Sequence, residues 1–242
     1  MNNKLNYVPG ILLACFVLAA CGPNYEAVKD EVRQKLDQGN FREAVSLVDE
    51  LGKSGNPDAE LYLLRGVGHY QLEAFSSARN DFEKSVSLDS ADYRAFFNLG
   101  NVARQQNNPE EAIKHYSRAL ELDSTHYDIW LNRALSRFNT GDMLAALQDF
   151  SRAAEVADNP DKNIFFYRGK VNFRLEDLQA AREDFLRVTE IDPDFGEAWH
   201  SLALVNIIME GSASQATCQY LAVSDSLGFA PASELLKTYC QQ

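Results

Sequence analysis

A period of 34 residues runs through this chain, and it narrows the possible folds more than any other feature. The two clearest copies are AFFNLGNVARQQNNPEEAIKHYSRALELD at 95–123 and IWLNRALSRFNTGDMLAALQDFSRAAEVAD at 129–158. Small residues form one column at steps of 34, 34, 35 and 34: Gly66, Gly100, Ala134, Gly169 and Ala203. Self-similarity at such a period indicates stacked supersecondary units, because no single unit can bury its apolar face alone.

Three further columns show what each unit contains. An aromatic residue stands four positions before each small residue: Tyr62, Phe96, Trp130, Phe165 and Trp199. Later in each unit comes an alanine: Ala44, Ala78, Ala112, Ala146 and Ala181. Four positions beyond it stands a larger residue: Val48, Phe82, Tyr116, Phe150 and Phe185. Residues four apart share one face of a helix, so the columns predict two helices per unit, separated by turns such as GN at 39–40 and NNP at 107–109.

This pattern of an aromatic residue, a small residue and Ala-x-x-x-Phe resembles the tetratricopeptide repeat. The resemblance implies an all-α fold, an α-α superhelix that stacks about six helical hairpins with a right-handed twist and ends in a C-terminal capping helix. We place the units of the repeat domain 25–229 at 25–58, 59–92, 93–126, 127–161, 162–195 and 196–229, and the capping helix at 230–242. An unrelated helical bundle is the alternative.

An apolar run over residues 8–20 precedes the repeats and ends at Cys21. A membrane span needs about 20 apolar residues, so this run is too short to remain as one. Lys4 ahead of the run, with Ala19 and Ala20 at its end, is typical of a secretory signal. The sequence thus predicts a signal peptide at 1–20 and a tether at 21–24.

Leu18-Ala19-Ala20-Cys21 resembles the lipobox of bacterial lipoproteins. That resemblance implies a diacylglyceryl group on the Cys21 thiol, cleavage before Cys21 and acylation of the new amine with a chain such as palmitate. Because Gly22 follows instead of the aspartate that retains some lipoproteins at the inner membrane, we expect a lipid-anchored protein of the cell envelope, at the outer membrane and on either of its faces. The alternative is an ordinary signal peptide cut near Ala20, with Cys21 unmodified.

Net charge excludes one class of partner. The chain carries a formal charge of −12, and loss of residues 1–20 removes Lys4 and no acid, which gives −13. Such a body is not drawn to nucleic acid or to anionic lipid by bulk electrostatics. We therefore predict no nucleic-acid partner, and membrane association through the lipid alone.

Two cysteines near the C-terminus are predicted to form a disulfide. With Gly228 as the turn between two helices, Cys218 lies ten residues before the turn and Cys240 twelve residues after it. Antiparallel helices bring such positions abreast, and an oxidising compartment allows the bond. This ending also resembles that of many bacterial tetratricopeptide lipoproteins. Two free thiols are the alternative.

A catalytic interpretation has little support. The four histidines fall in different units and form no zinc-ligand spacing, and Gly66-Val67-Gly68 lacks the third glycine of a dinucleotide loop. The carboxylates are expected on solvated helix faces. We predict no enzymatic activity, no cofactor and no metal.

A binding interpretation is stronger, because in the resembling family the first helices of successive units line a concave groove. The family's groove positions fall here on Glu60, Leu63, Val67, Arg94, Phe97, Asn101, Arg104, Asp128, Leu131, Asn132, Leu135, Phe138, Phe166, Lys170, Phe173 and Arg174. Apolar patches beside arginines are typical of protein-binding surfaces, although Phe138 and Phe173 could instead pack between units. One subfamily clamps a partner's terminal carboxylates with lysines, asparagines and an arginine. Asn101 and Asn132 match that clamp, but its cationic positions fall on Phe97, Asn163 and Tyr167, so no clamp is predicted.

These features predict a membrane-anchored, non-catalytic adaptor that binds a protein or peptide in its groove, with apolar anchors and with acidic flanks attracted to Arg94, Arg104, Lys170 and Arg174. An accessory protein for glycan or nutrient uptake is the second hypothesis, which exposed stacked aromatics would favour. An envelope hydrolase is the third, and it would require a cluster of acid, base and nucleophile.

Overall fold

The computed structural model describes residues 25–240, and in that range the chain forms thirteen α-helices and no strand. Their bounds are α1 Tyr25–Asp37, α2 Phe41–Ser54, α3 Ala59–Gln71, α4 Phe75–Leu88, α5 Tyr93–Gln105, α6 Pro109–Leu122, α7 Tyr127–Thr140, α8 Met143–Val156, α9 Lys162–Arg174, α10 Leu178–Ile191, α11 Gly196–Glu210, α12 Gln215–Ser226 and α13 Ala230–Tyr239. The predicted all-α fold is therefore confirmed.

The helices pair in sequence order as six hairpins, from α1–α2 to α11–α12, and α13 packs on α12 as a cap. Each hairpin also contacts the next along the array, as α2 does α3 and α4 does α5. Contacts that skip one helix link α1 to α3, α3 to α5, α5 to α7 and α7 to α9. Because elements on the inside of a curved stack lie closest together, the odd-numbered helices from α1 to α11 form the inner layer. Their solvent-facing side is called the inner face below.

Helix ends are set by local chemistry that repeats with the units. Side chains accept a hydrogen bond from the first turn of the following helix at Asp58, Asp92, Asn108, Asp142, Asp161, Asp177 and Ser214. Each turn inside a hairpin holds one residue with positive φ: Gly39, Glu73, Asn107, Gly141, Glu176 and Gly211. The chain thus reverses at the same place in every hairpin, which keeps the hairpins superimposable.

The repeat columns form the core. The alanine column, Ala44, Ala78, Ala112, Ala146 and Ala181, is 0% exposed, and the large column, Val48, Phe82, Tyr116, Phe150 and Phe185, is at most 2% exposed. In three hairpins the large ring presses on the small column. A Cβ built on Gly66, Gly100 or Gly169 would lie 2.5, 2.5 or 2.8 Å from Cε1 of Phe82, Tyr116 or Phe185. Glycine is required there because the ring occupies the space of a side chain.

Three hairpins also share an ion pair that the sequence analysis missed. An arginine one residue before the small column pairs with an aspartate one residue before the large column: Arg65–Asp81, Arg133–Asp149 and Arg168–Asp184, at 2.5, 2.8 and 2.6 Å. The guanidinium also lies over the aromatic ring three residues earlier, that of Tyr62, Trp130 or Phe165. The three aspartate side chains are only 2–5% exposed, so the expectation of carboxylates on solvated faces is wrong for them. A motif of Arg-small followed by Asp-aromatic carries this signal in the sequence.

Cys218 in α12 and Cys240 after α13 are joined by a disulfide, as predicted, with their Cα atoms 5.7 Å apart. Gly228 makes the turn between the two helices with φ of 82°. The predicted signal peptide, tether and lipidated Cys21 lie outside the described residues, as do the last two residues of the predicted segment 230–242. Between residues 25 and 240 no helix combines the length and the apolar character that a membrane crossing demands.

Candidate functional site

Of the sixteen predicted groove positions, Glu60, Leu63 and Val67 lie on α3 and Asp128 lies in the first turn of α7. The other twelve lie on α5, α7 and α9, three consecutive helices of the inner layer. Arg94 and Arg174 are exposed, Phe166 is buried, and the other nine are half-buried: Phe97, Asn101, Arg104, Leu131, Asn132, Leu135, Phe138, Lys170 and Phe173. The inner face therefore carries a mixture of apolar and polar side chains that are partly open to solvent.

The N-terminal part of the inner face is a network of satisfied charges. Lys29 of α1 lies 2.7 Å from Glu26 and 2.8 Å from Asp58, and its side chain is only 8% exposed. Arg33 bonds Glu60 of α3 at 2.7 Å, and this hydrogen bond lowers the pKa of the Glu60 carboxyl. These contacts join α1 to α3 and leave little free charge for a ligand.

Arg94 belongs to the same network. Its Nε and Nη2 donate to the carboxylate of Asp92 at 2.7–3.1 Å, and Glu60 lies 3.8 Å from its Nη1. Burial of Asp92 opposes ionisation, yet the hydrogen bonds from Arg94 bring the pKa of that carboxyl below its ordinary value. Since its charge is held by its own helix cap, Arg94 is a weaker attractor of acidic partners than the sequence predicts.

The middle of the inner face is built around Tyr116. Its ring, which reaches in from α6, is 0% exposed, and its hydroxyl donates to Oδ1 of Asn101 at 2.8 Å. Burial raises the pKa of the Tyr116 hydroxyl. The ring of Phe97 lies 6.0 Å from the Tyr116 ring. Asn101 and Phe97 thus hold the fold of this unit as well as lining the inner face.

Arg104 stands out among the cations of this region. Its Nε atom is buried without a hydrogen-bond partner, and within residues 25–240 no carboxylate lies within 4 Å of its guanidinium. Arg33, Arg94 and Lys170 of this face are paired with carboxylates. An arginine without a counter-ion among them is available for a carboxylate from outside the chain.

The C-terminal part of the inner face contains stacked rings and cations. The Arg174 guanidinium lies 4.3 Å from the centroid of the Phe138 ring, and Phe138 meets Tyr167 edge-on at 5.8 Å. Arg174, too, has no carboxylate within 4 Å in the described part of the chain. Phe138 is thus packed between α7 and α9, which is one of the two alternatives given for it above. The unpaired guanidinium of Arg174 lies over its ring.

Phe166 is a correction to the predicted groove. The side chain is 3% exposed and its ring lies 4.7 Å from Phe195 and 6.0 Å from Phe185. The segment between α10 and α11 covers it, so it belongs to the core and offers no contact surface.

Lys170 is also less free than the sequence predicts. Its Nζ lies 3.3 Å from the Glu197 carboxylate of α11 and 5.0 Å from the centroid of the Phe166 ring. Arg33 of α1 and Glu60 of α3 make the corresponding contact four hairpins earlier in the array. Pairing across consecutive inner helices is therefore a repeated feature.

A cavity of about 240 Å³ lies between α9 and α11, and Phe229, the residue before α13, forms one side of it. Its apolar wall consists of Phe173, Phe185, Leu204 and Phe229. Sequence analysis placed Phe173 here but missed Leu204 and Phe229, as well as Glu197 and His200 at the rim. Extending the groove columns into the sixth unit would have found three of these four.

His200 lies at the edge of this cavity with its ring 5.0 Å from that of Phe229. Burial lowers the pKa of His200 below its ordinary value, so the imidazole is neutral at pH 7. Of the three groups that carry charge at this rim, Lys170 and Glu197 cancel each other and Arg174 remains.

Comparison with known proteins agrees with this architecture. Models described as tetratricopeptide repeat match residues 29–93, 93–126 and 131–194. Small glutamine-rich tetratricopeptide repeat-containing protein 2 of Saccharomyces cerevisiae is 26% identical over 98 residues, 40% of this chain and 28% of that protein. The aligned regions span less than a third of the curated relatives that match.

Several solved structures share the fold. The C-terminal part of a TPR repeat-containing protein from Cytophaga hutchinsonii has a TM-score of 0.71 at 18% identity, over 86% of this chain and 82% of that one. YrrB, described as a TPR protein with an unusual peptide-binding site, has a TM-score of 0.64 at 21% identity, over 77% of this chain and 91% of that one. With repeat models that cover more than half of its length, the chain belongs to the tetratricopeptide repeat family.

Proposed function

We propose that this protein is a non-catalytic adaptor that binds a segment of a partner protein on its inner face and holds it beside a membrane of the bacterial cell envelope. One observation carries the proposal. Arg104 and Arg174 have no carboxylate partner within the described residues, and half-buried apolar side chains of α5, α7 and α9 lie among them. Arginine and aromatic side chains contribute most of the energy of protein interfaces.

The extent of the surface favours a protein segment over a small molecule. The two free guanidiniums belong to α5 and α9, with α7 between them. Neighbouring packed helices are about 8–10 Å apart, so the surface is wider than a metabolite. The cavity of about 240 Å³ is also below the range of about 300–1,000 Å³ that is usual for small-molecule sites.

The membrane part of the proposal rests on residues 18–21. Acylated Cys21 would carry three chains, and since each buried CH₂ contributes about 0.8 kcal/mol, such an anchor does not detach in practice. An anchored adaptor raises the local concentration of its partner at the membrane, which gives it a function without any chemistry of its own.

The alternative of glycan or nutrient uptake gains no support. An aromatic platform for sugars needs exposed ring faces, but Phe166 is buried and the Phe138 ring is covered by Arg174. The inner aromatic residues instead provide the sides of a groove.

Capture of a crosslinked partner from membranes tests the proposal. The double variant Arg104→Ala/Arg174→Ala removes the free cations, and we expect it to lose the partner that the native protein retains. Its matched control is Arg118→Ala/Arg152→Ala, which removes two exposed arginines of the even-numbered helices α6 and α8, each 2.7 Å from a glutamate three residues later. Equal recovery with both double variants would show that the inner face is not the binding surface.

A further inference from the structure

The cavity between α9 and α11 has the size of a site for one side chain. An apolar protein cavity of about 150 Å³ holds one benzene molecule, whereas this one measures about 240 Å³. It therefore accepts an aromatic ring with its linking carbon atoms, and little more.

The walls favour an aromatic occupant. Phe173, Phe185 and Phe229 present three rings to the same space, and Leu204 completes the apolar lining. Ring pairs prefer edge-to-face or offset geometries and gain attraction beyond that expected from the apolar area that they bury. An aliphatic anchor would fill the same volume without this contribution.

The charge at the rim favours an acidic neighbour. Lys170 is neutralised by Glu197 at 3.3 Å, whereas Arg174 keeps its full charge over the Phe138 ring. A positive rim on a chain of net charge −12 is a local exception that attracts a carboxylate and repels a lysine.

Arg104 extends this positive character away from the cavity. Arg104 lies on α5. Arg174 belongs to α9, but its guanidinium lies over Phe138 of α7, which is the inner helix next to α5. One helix spacing of about 8–10 Å corresponds to about three residues of extended chain at about 3.3 Å each. A second carboxylate about three residues from the first would therefore meet Arg104.

We propose that the cavity binds one aromatic side chain of an extended, acidic segment within a partner protein, and that two carboxylates of this segment pair with Arg174 and Arg104. This inference rests on the function proposed above and adds the chemistry of the ligand to it. The occupant is an internal segment and not a chain end, because the cationic positions that clamp a terminal carboxylate in the resembling subfamily fall here on Phe97, Asn163 and Tyr167.

Fluorescence polarisation with synthetic decapeptides tests the inference on the mature protein. The probe is built of glycine and serine and carries one phenylalanine, one aspartate within three residues of it and a second aspartate three residues further. We expect replacement of the phenylalanine by alanine to weaken binding about 30-fold, and replacement of each aspartate by asparagine to weaken it about fivefold.

Protein variants locate the contacts. In Arg174→Ala, the probe and the peptide whose aspartate nearest the phenylalanine is replaced by asparagine should bind with equal affinity. Leu204→Phe should weaken binding of the probe, because the larger side chain fills the cavity. Arg182→Ala, at an exposed arginine of α10, is the matched control and should change nothing. The inference is overturned by tighter binding of peptides with lysine flanks, by an unchanged aspartate effect in Arg174→Ala, or by no binding of the probe at about 1 mM.

The two experiments fail separately. If the protein captures a membrane partner through Arg104 and Arg174 but does not bind the acidic aromatic probe, the proposed function stands and only this ligand chemistry is wrong. If the double variant Arg104→Ala/Arg174→Ala still captures every partner, both the proposed function and this ligand chemistry are wrong.

Discussion

Gly100 shows how one residue sets the distance between two helices. Tyr116 of α6 lies against the bare Cα of Gly100 on α5, so that a Cβ there would come within 2.5 Å of Tyr116 Cε1. The hydroxyl of the same Tyr116 bonds Asn101, which leaves the ring no freedom to move aside. The small column is therefore a requirement of packing and not of turn geometry.

We predict that Gly100→Ala destabilises the protein. Overpacking costs about 1–3 kcal/mol, and the higher helix propensity of alanine returns about 1 kcal/mol, so we expect a net loss of up to about 2 kcal/mol in the free energy of unfolding. Urea denaturation followed by circular dichroism measures the change.

Gly52→Ala is its matched control. Gly52 is an exposed helical glycine of α2, and the nearest atom to an added Cβ is Pro57 Cγ at 4.0 Å. The same substitution should there stabilise the protein by about 0.5 kcal/mol. Equal effects at the two glycines would contradict the packing argument.

We predict that Arg168→Ala destabilises the protein more at pH 7 than at pH 5. The Asp184 carboxyl is buried, which raises its pKa, and the Arg168 guanidinium opposes that rise. Loss of Arg168 leaves a buried charge and costs about 2 kcal/mol at pH 7. It also raises the pKa of Asp184 further above its unfolded value. A carboxyl with a raised folded-state pKa destabilises the fold while it is ionised in both states, and this penalty fades as the pH falls through the folded pKa.

Urea denaturation at the two pH values measures this difference. Arg187→Ala, which breaks only an exposed pair with Glu190 at 2.9 Å, should cost at most about 0.5 kcal/mol at either pH. A pH-independent loss in Arg168→Ala would mean that Asp184 is not the group affected.

For single residues, the sequence predicts well which columns are buried but predicts poorly which charged side chains are paired. Columns repeat because every hairpin buries the same positions, whereas Arg94 and Lys170 are neutralised by Asp92 and Glu197, which no groove column marks as partners. Phe166 shares its column with Phe97 and Leu131 but is covered by Phe195 from the following loop. Contacts between units depend on the tertiary structure, and a repeat column describes only one helix of each unit.

Among the elements, α13 depends most on a covalent bond. It has ten residues, too few for a stable isolated helix, and only Ala232 is fully buried among them. The disulfide from Cys218 to Cys240 ties its end to α12, and Phe229 just before it closes the cavity of the inner face. The capping helix thus supports both the fold and the candidate site.

We predict that reduction of the Cys218–Cys240 disulfide loosens α13 selectively. In the chain-entropy model a loop of this length contributes about 3 kcal/mol, which the reduced protein lacks. Hydrogen exchange measured by mass spectrometry should show faster exchange over residues 230–239, with α5 and α6 as the internal control. Unchanged exchange in α13 would mean that packing alone holds the cap.

Element boundaries follow from the sequence more directly than side-chain pairing does. The odd-numbered helices after the first begin at Ala59, Tyr93, Tyr127, Lys162 and Gly196, which are the first residues of the predicted units. Turn residues at Gly39 and Asn107 mark the reversals by their tolerance of positive φ. Glu73 and Glu176 occupy the same place in other hairpins with φ of 58° and 63°, and their residue type gives no such signal.

On the scale of the whole molecule, the array has two surfaces with different roles. Even-numbered helices present exposed leucines such as Leu144 and Leu186, which are 67% and 43% exposed. Inner helices instead combine half-buried apolar groups with unpaired arginines and a cavity. Stability in such an array is close to a sum over units and their interfaces, so binding to several inner helices at once stabilises the stack.

We predict that Cys21→Ser moves the protein from the membrane fraction to the soluble fraction, because the diacylglyceryl group proposed for Cys21 would have no thiol to which it could be attached. Cys15→Ser, which changes a cysteine within the apolar leader, is the matched control and should leave the protein with the membranes. Immunoblotting of membrane and soluble fractions after ultracentrifugation measures both. Persistent membrane association of Cys21→Ser would contradict the lipid anchor.

A photo-crosslinking scan in the living cell tests whether the inner layer is the binding surface. A photoreactive amino acid is placed in turn at Phe173 and Leu204 on the inner helices and at Leu144 and Leu186 on the even-numbered helices. We expect one discrete crosslinked partner from Phe173 and Leu204 and none from Leu144 or Leu186. Crosslinks from Leu144 and Leu186 alone would contradict this expectation and would place the binding surface on the outer layer.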